Sequence, residues 1–347
     1  MNFQSLKIDH YTIIVPDAKA VCQFHIQALG FKYLRLQMIN AGSAKPGKYD
    51  MLNYILTWPN DPDRVLVITE GLTQESIFQR YLNQYGQGIH HIAIQVDDIE
   101  KAFEDMQKQH IQLTSDELIR DPLTGLKQCF IDRSYLGVFV ELIERGNSVF
   151  QSEAQKPGFF TKDNMSGLAV TMHDYLRDKR LKDHADSLNS SQELIQETSL
   201  KNYEDFHITE TDYLKLSTLR CFYIFSKALN NSVEFAKNIL GFQKLVQENQ
   251  SKREVILTLT KDPEHYLVLQ EDQEASLKPS LSRVFAETND PKEVQKQLQA
   301  HNIDFTPVDM KQSAFGLESA LALNEKAVGY PFYLMKNSVT QESKRHG

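Results

Sequence analysis

Three residues of this chain carry types that bind a divalent cation together: His10 in "IDHYTIIVP", His91 in "GIHHIAIQV" and Glu141 in "GVFVELIE". Two imidazole nitrogens and a carboxylate oxygen suit a first-row divalent metal, and three protein ligands leave further positions on the ion for substrate. With three adjacent positions open, the set suits ferrous iron, which can hold a bidentate substrate and O2 together. A fourth protein ligand near residues 66–70 would instead suit a Lewis acid for isomerase or lyase chemistry. Each residue also has a plainer reading. A lone histidine at a strand start is more often a satisfied structural group, and Glu141 could be a solvent-facing strand residue.

A repeat links the three. "IDHYTIIVP" reads as a buried strand closed by Pro16-Asp17, and "DAKAVCQFHIQALGF" as a helix stopped at Gly30. "FKYLRLQMI", "DMLNYILTW" and "DRVLVIT" read as three more strands. This β-α-β-β-β unit returns after 81 residues, laying "DHYTIIVPDAKA" on "HHIAIQVDDIEK", His10 on His91 and Asp17 on Asp98. The second copy continues through a helix "IEKAFEDMQKQ" and strands around "IQL", "LKQCFID" and "GVFVELIE". A third copy starts near 217, where "CFYIFSKALNNSVEFAKNILGF" parallels "HYTIIVPDAKAVCQFHIQALGF"; a fourth runs from "SRVFAETNDPKEVQKQLQAHNIDF" to "GYPFYLMK".

The expectation is an α+β fold of paired βαβββ modules, four modules in two domains. Residues 1–150 would hold the metal, 151–215 would be a helical connector or lid, and 216–340 a second pair. In that second pair the registers place Cys221, Arg283 and Tyr333 where the first has His10, His91 and Glu141, so no metal is expected there. An apolar residue near Val67 stands at the position a fourth ligand would take. Strand alternation puts His91 on one face with Ala93 and Gln95, and turns His90 to the other with Ile92 and Ile94. Asp97-Asp98 read as a helix cap. His25, His110 and His301 read as surface residues.

Length and composition bound the rest. A chain of 347 residues is long enough for two ordinary domains. A formal charge of -8 without a dense basic cluster argues against a nucleic-acid binder. No apolar run approaches the ~20 residues of a membrane helix. The N-terminus enters a strand pattern without a signal-peptide flank. Cys22, Cys129 and Cys221 are odd in number and widely spaced, which fits a reducing, cytoplasmic setting. The partner expected is a small-molecule substrate, with no nucleic acid and no membrane, and with room for a homo-oligomer.

"IDHYTIIVPDAKA…ALGF", "GIHHIAIQVDDIEKA" and "GVFVELIERG" resemble the vicinal oxygen chelate superfamily, which includes glyoxalase I, methylmalonyl-CoA epimerase and 4-hydroxyphenylpyruvate dioxygenase. "HHIAIQVDDIEKA" and the ligand spacing resemble the epimerase. "ITEGLTQESIFQRYLNQYGQGIHHIAIQVDDIEKAF", "LKQCFID", "FVELIERG" and "GFFTKDNM" resemble the catalytic domain of the dioxygenase, the last its aromatic gating helix. The dioxygenase resemblance implies His10, His91 and Glu141 as ligands of Fe(2+), O2 as co-substrate, and a substrate chelating through a 2-oxo acid. It implies substrate contacts at Gln128, His90, Ser76 and Phe160. His90 and Ser76 replace glutamines of that family, Met165 replaces a phenylalanine, and the order of the two domains is reversed. The other readings are a metal-dependent epimerase or lyase, which needs the fourth ligand, and a non-catalytic binding protein like the antibiotic-binding members.

Overall fold

The computed structural model describes residues 3–40, 44–146, 161, 167, 214, 216–249, 253–272, 282–309 and 319–336. The first half runs β1 (Ser5–Ile14), α1 (Ala18–Gln27), β2 (Lys32–Ile39), β3 (Met51–Trp58), β4 (Asp61–Gly71), α2 (Ile77–Tyr85), β5 (Gly88–Val96), α3 (Ile99–Lys108), β6 (Ile119–Arg120), β7 (Lys127–Ile131) and β8 (Phe139–Glu144). The second half runs β9 (Leu216–Ser226), α4 (Leu229–Asn238), β10 (Gln243–Asn249), β11 (Glu254–Leu259), β12 (Asp262–Glu271), β13 (Arg283–Thr288), α5 (Pro291–Ala300), β14 (Phe305–Asp309), β15 (Ser319–Leu323), α6 (Glu325–Val328) and β16 (Phe332–Lys336). The fold is α+β, built of paired βαβββ modules.

Each half is one eight-stranded sheet, ordered β2-β3-β4-β1-β5-β8-β7-β6 and β10-β11-β12-β9-β13-β16-β15-β14. The four strands of each module lie together, and the modules join where their first strands pair antiparallel, β1 with β5 and β9 with β13. Within a module the first and last strands run parallel, β1 beside β4 and β5 beside β8. The helix after each first strand supplies the crossover that a parallel pair requires.

Local sequence explains the element ends. Asp17 caps α1 by accepting from the Ala20 N–H at 2.9 Å, and Asp98 caps α3 by accepting from the Lys101 N–H at 3.0 Å. The role expected of Asp98 is therefore observed. One strand differs from the sequence reading, and one helix lies in a segment to which that reading gave no element. "IQL" forms no ladder strand: Leu113 makes an isolated bridge to Ile131, and the sheet edge is β6. The segment before "GIHHIA" is helical, α2, because Ile77, Phe78 and Tyr81 fall on one buried face.

His25, expected on the surface, is fully buried in α1. Its Nδ1–H donates to the Val21 carbonyl at 2.8 Å, which leaves Nε2 to accept from the Tyr330 hydroxyl at 3.2 Å. Tyr330 accepts in turn from Tyr11 Oη at 2.8 Å. Burial pushes the His25 imidazole down to about 4, so it stays neutral. His110 and His301 are exposed, as the sequence suggested. All three cysteines are buried free thiols.

The two halves share one core. A single cluster joins the outer face of the first sheet (Tyr11, Ile13, Leu66, Ile68, Ile92, Ile94), the apolar sides of α1, α3, α4 and α5, and the outer face of the second sheet (Phe222, Ile224, Leu267, Leu269). Arg64 reaches across to Asp262 at 2.7 Å, and the Ile8 N–H donates to the same carboxylate at 3.1 Å. Each fully buried Leu, Ile or Phe in such a core contributes about 1.5–3 kcal/mol. The inner faces are left for two separate clusters, one per sheet.

Gly329 closes this interface. It ends α6 with φ 90°, and a Cβ there would lie 2.7 Å from Val15 Cγ1 and 3.2 Å from Val21 Cγ1. Gly329→Ala should therefore cost about 1–3 kcal/mol through strain and overpacking between the halves, read as a lowered thermal midpoint.

Candidate metal centre

The topology brings the three sequence-predicted ligands together. In the β1–β5 ladder His10 lies opposite Ala93 and Thr12 opposite His91; in the β5–β8 ladder Ala93 lies opposite Glu141. His10, Ala93 and Glu141 thus form one row across three strands. Neighbouring strands are about 4.8 Å apart, so His10 and Glu141 meet only by leaning over the small side chain between them. His10 Nε2 is 3.1 Å from Glu141 Oε2, His91 Nε2 is 3.3 Å from it, and the two Nε2 atoms are 3.4 Å apart. All three residues are buried. Among the described residues they are the group of three or more His, Cys, Asp or Glu placed to hold an ion.

The expectation for His90 fails, for an identifiable reason. Thr12 pairs with His91 but Ile13 with Ile89, so His90 is the extra residue of a β-bulge. Alternation is interrupted there and both histidines point to the inner face. His90 Nδ1 lies 2.8 Å from His91 Nδ1, and its ring touches Phe78, Tyr81 and Phe139 at centroid distances of 6.0, 4.7 and 5.0 Å. A second bulge lies 81 residues earlier in the repeat: Ile8 pairs with Ile94 and His10 with Ala93, which leaves Asp9 as the extra residue. Asp9 Oδ1 accepts from His10 Nδ1 at 2.8 Å, and Arg145 grips both Asp9 oxygens at 3.0 and 2.5 Å.

The electrostatics follow from these contacts. Burial disfavours the Asp9 carboxylate, but Arg145 and His10 outweigh it and hold the group far below its usual range. Burial likewise disfavours a charged His10, yet Glu141 and Asp9 raise it to about 9, so without a metal His10 keeps its second proton at neutral pH. Burial, with His90 and His10 close by, holds His91 well below its usual value. His90 is pushed down to about 3 by burial and by Arg133.

A cation fits these residues. Bonds of about 2.0–2.2 Å place adjacent ligand atoms about 3 Å apart on an octahedral face and about 3.4 Å apart in a tetrahedron, which brackets the observed triangle. Glu141 Oε1 is buried without a hydrogen-bond partner, an unmet acceptor that a metal or its water would satisfy. His10 and His91 would each bind through Nε2 and Glu141 through a carboxylate oxygen.

The fourth position is apolar. Thr12 pairs with Val67 as Ala93 pairs with Glu141, so Val67 is the counterpart of the glutamate, and it is 2% exposed. Glu70 is engaged elsewhere, accepting from the Ala18 N–H at 2.8 Å at the start of α1; burial pushes it up to about 7. Phe130, Phe139 and Ile143 join Val65 and Val67 in the inner-face cluster around the triad.

The second half has the equivalent row filled. Cys221 lies opposite Phe285, Phe285 opposite Tyr333, and Tyr223 opposite Arg283. Cys221, Arg283 and Tyr333 are the residues predicted for the three ligand positions, with Phe285 where the first half keeps Ala93. Phe285 stacks on Tyr333 at 4.8 Å, and the Arg283 guanidinium lies over Tyr333 and Phe225.

Of the implied substrate residues, Gln128 is fully buried and shares the inner face of β7 with Phe130, and His90 borders the triad. Ser76 is buried at the start of α2, beside Gly71. Phe160 and Met165, like the connector or lid expected over 151–215 apart from Thr161, Gly167 and Leu214, lie outside the described residues. Thr161 donates to Asp121 at 2.7 Å. Sequence reasoning missed Asp9, Ala93 and Arg145. The 81-residue repeat does lay Asp9 on His90, a signal that gains meaning once the bulges are seen.

Comparison with known proteins agrees with this architecture. Residues 7–133 match the Glyoxalase/Bleomycin resistance protein/Dioxygenase superfamily. The uncharacterized protein YqjC of Bacillus subtilis is 28% identical over 139 residues, 40% of this chain and 91% of that protein. A variant of 4-hydroxymandelate synthase from Streptomyces coelicolor superposes with a TM-score of 0.54 at 13% identity, covering 96% of this chain and 92% of that one. Methylmalonyl-CoA epimerase from Mycobacterium tuberculosis aligns with 41% of this chain and 91% of its own, at 22% identity and a TM-score of 0.35.

Two outcomes follow from the geometry. Metal must displace the proton held by His10, so its affinity should rise about tenfold per pH unit from pH 7 and level off near pH 9. Because His10 is raised above its unfolded value of 6.5, it stabilises the metal-free fold fully below that pH, and the gain fades as pH rises through about 9. Calorimetric titration and melts across that range check both. Ala93→Phe, which copies Phe285, should abolish metal binding while leaving the circular dichroism spectrum intact, at a stability cost of about 1–3 kcal/mol.

Proposed function

Starting from a chain that carries a domain of the glyoxalase, bleomycin resistance protein and dioxygenase superfamily, we propose that it is a metal-dependent dioxygenase acting on a small substrate that chelates through two vicinal oxygens, such as a 2-oxo acid. The observation that carries this reading is Val67 at the counterpart of Glu141. With an apolar fourth position the protein supplies three ligands on one side of the ion, the arrangement that suits ferrous iron. Such an ion supplies the sites at which substrate and O2 meet. A four-ligand Lewis-acid site of the epimerase kind lacks its fourth residue here.

The chain's own residues have separable parts. His10, His91 and Glu141 would hold the ion, and the parallel and antiparallel ladders fix their backbones. Val65, Val67, Phe130, Phe139 and Ile143 keep water and competing proton donors from the open side. Gln128 is the buried amide on the same face, placed to hydrogen-bond a substrate oxygen. His90, Ser76 and Phe160 complete the substrate-contact set that the dioxygenase resemblance implies. The second half, with Phe285 and Tyr333 in place of ligands, acts as scaffold through the shared core.

Protein reconstituted anaerobically with Fe(2+) should consume O2 with at least one member of a panel of 2-oxo acids and catechols. It should hold about one metal per chain, with both properties lost in His91→Ala and Glu141→Ala. O2 uptake with none of them, together with proton exchange on a CoA thioester, would overturn the proposal in favour of an epimerase. Absence of metal from the wild-type chain would favour a binding protein.

A further inference from the structure

The two bulges place different acceptors behind the two histidines, at positions that the repeat makes equivalent. An imidazole that ligates through Nε2 carries its proton on Nδ1 and must donate it. His10 donates to the carboxylate of Asp9, and His91 faces the ring nitrogen of His90, each at 2.8 Å. We propose that Asp9 and His90 are positioning residues that fix the tautomers of His10 and His91 and make them unequal ligands, His10 the electron-rich one and His91 the ordinary one. The inference rests on the metal-site reading above.

The tautomers are determined in sequence. For His91 Nε2 to offer a lone pair, Nδ1 must bear the hydrogen, so His90 Nδ1 must be bare and its own hydrogen must sit on Nε2. Phe78, Tyr81 and Phe139 fix the plane of the His90 ring. On the other side Asp9 can only accept, and Arg145 locks its orientation through two hydrogen bonds. A carboxylate behind an imidazole draws its proton and raises its basicity, whereas a neutral ring nitrogen does so far less. The charge count is consistent. A divalent ion would meet the charge of Glu141 directly and that of Asp9 only through the His10 ring, and Arg145 offsets Asp9. His90 adds no second anion, and burial, with the buried Arg133 close by, keeps its ring neutral.

The ordering also follows from the fold. Ile8 and Tyr11 both face the shared core, as do Ile89 and Ile92. Two residues separate each pair instead of one, so each bulge sends two consecutive side chains inward. In the second half Leu219 pairs with Ala286 and Cys221 with Phe285, so Arg220 is bulged in the same way, but it is bonded to Glu287 and there is no ligand beside it to position.

The test uses the full chain, metal-free, titrated with Co(2+). Affinity is read by calorimetry, and solvent-exchangeable, hyperfine-shifted ring N–H resonances are read by NMR. Wild type should bind one ion and show two such resonances, one per ligating histidine. His90→Gln keeps an acceptor and should bind within about threefold of wild type, while His90→Leu should weaken binding about tenfold and broaden or shift one resonance. Asp9→Asn should weaken it more, towards about 100-fold, and move the other resonance. Asp9→Asn leaves Arg145 buried beside a neutral amide, so the His90 pair keeps the test decisive if that variant folds poorly. His90→Leu binding as tightly as wild type with both resonances unmoved would overturn the inference. So would equal losses in His90→Leu and a folded Asp9→Asn. Failure of the wild type to bind Co(2+) would instead refute the metal site itself.

Discussion

The antiparallel pairing of β1 with β5 is the constraint on which the site depends. It sets two repeat-related strands side by side in the middle of one continuous sheet, so that residues offset by 81 in sequence become neighbours. The parallel placement of β8 beside β5 then sets Glu141 in line with His10, across Ala93. A slip of one residue in either ladder would turn a ligand to the opposite face. The shared core holds both registers, because Tyr11, Ile13, Ile92 and Ile94 are committed to it from the other side of the same strands.

Side-chain volume in that row separates the two halves. With alanine in the middle, a histidine and a glutamate reach one another; with Phe285, the space is taken by a ring stacked on Tyr333. The second half keeps the sheet order, the Asp-capped crossover helix at α5 and the bulge at Arg220, yet its inner face is packed with aromatic residues. Its contribution to the first half runs through the outer faces. Tyr330 reaches Tyr11 and His25, and Asp262 reaches Arg64 and the Ile8 backbone, one residue from Asp9. The scaffold thereby bears on the strand that carries His10.

Buried polar groups are expensive unless satisfied, and the metal centre shows how that cost is distributed. Asp9 is charged and matched by Arg145; His90 and His91 are neutral and matched to each other; His10 faces the Glu141 carboxylate at 3.1 Å. Glu141 Oε1 is the acceptor left over. A site assembled this way would take either a proton or a metal, with pH setting the exchange between them.

The sequence by itself determined the modules, the three residues that meet as candidate ligands and the empty counterpart of the second half. Those features depend on short-range periodicity and on a repeat that aligns residue by residue, and both are written along the chain. His10, His91, Glu141 and the apolar position at Val67 were legible for that reason. Tertiary structure alone decided the rest. Bulges break the alternation from which a face is assigned, so the side of His90 and the partnership of Asp9 with His10 could not be read from spacing. Burial of His25 depends on Tyr330, 305 residues away. The role of Ala93 depends on what stands on the strands to either side. Each of these is set by pairing between distant segments, and pairing is a property of the folded sheet that no local pattern records.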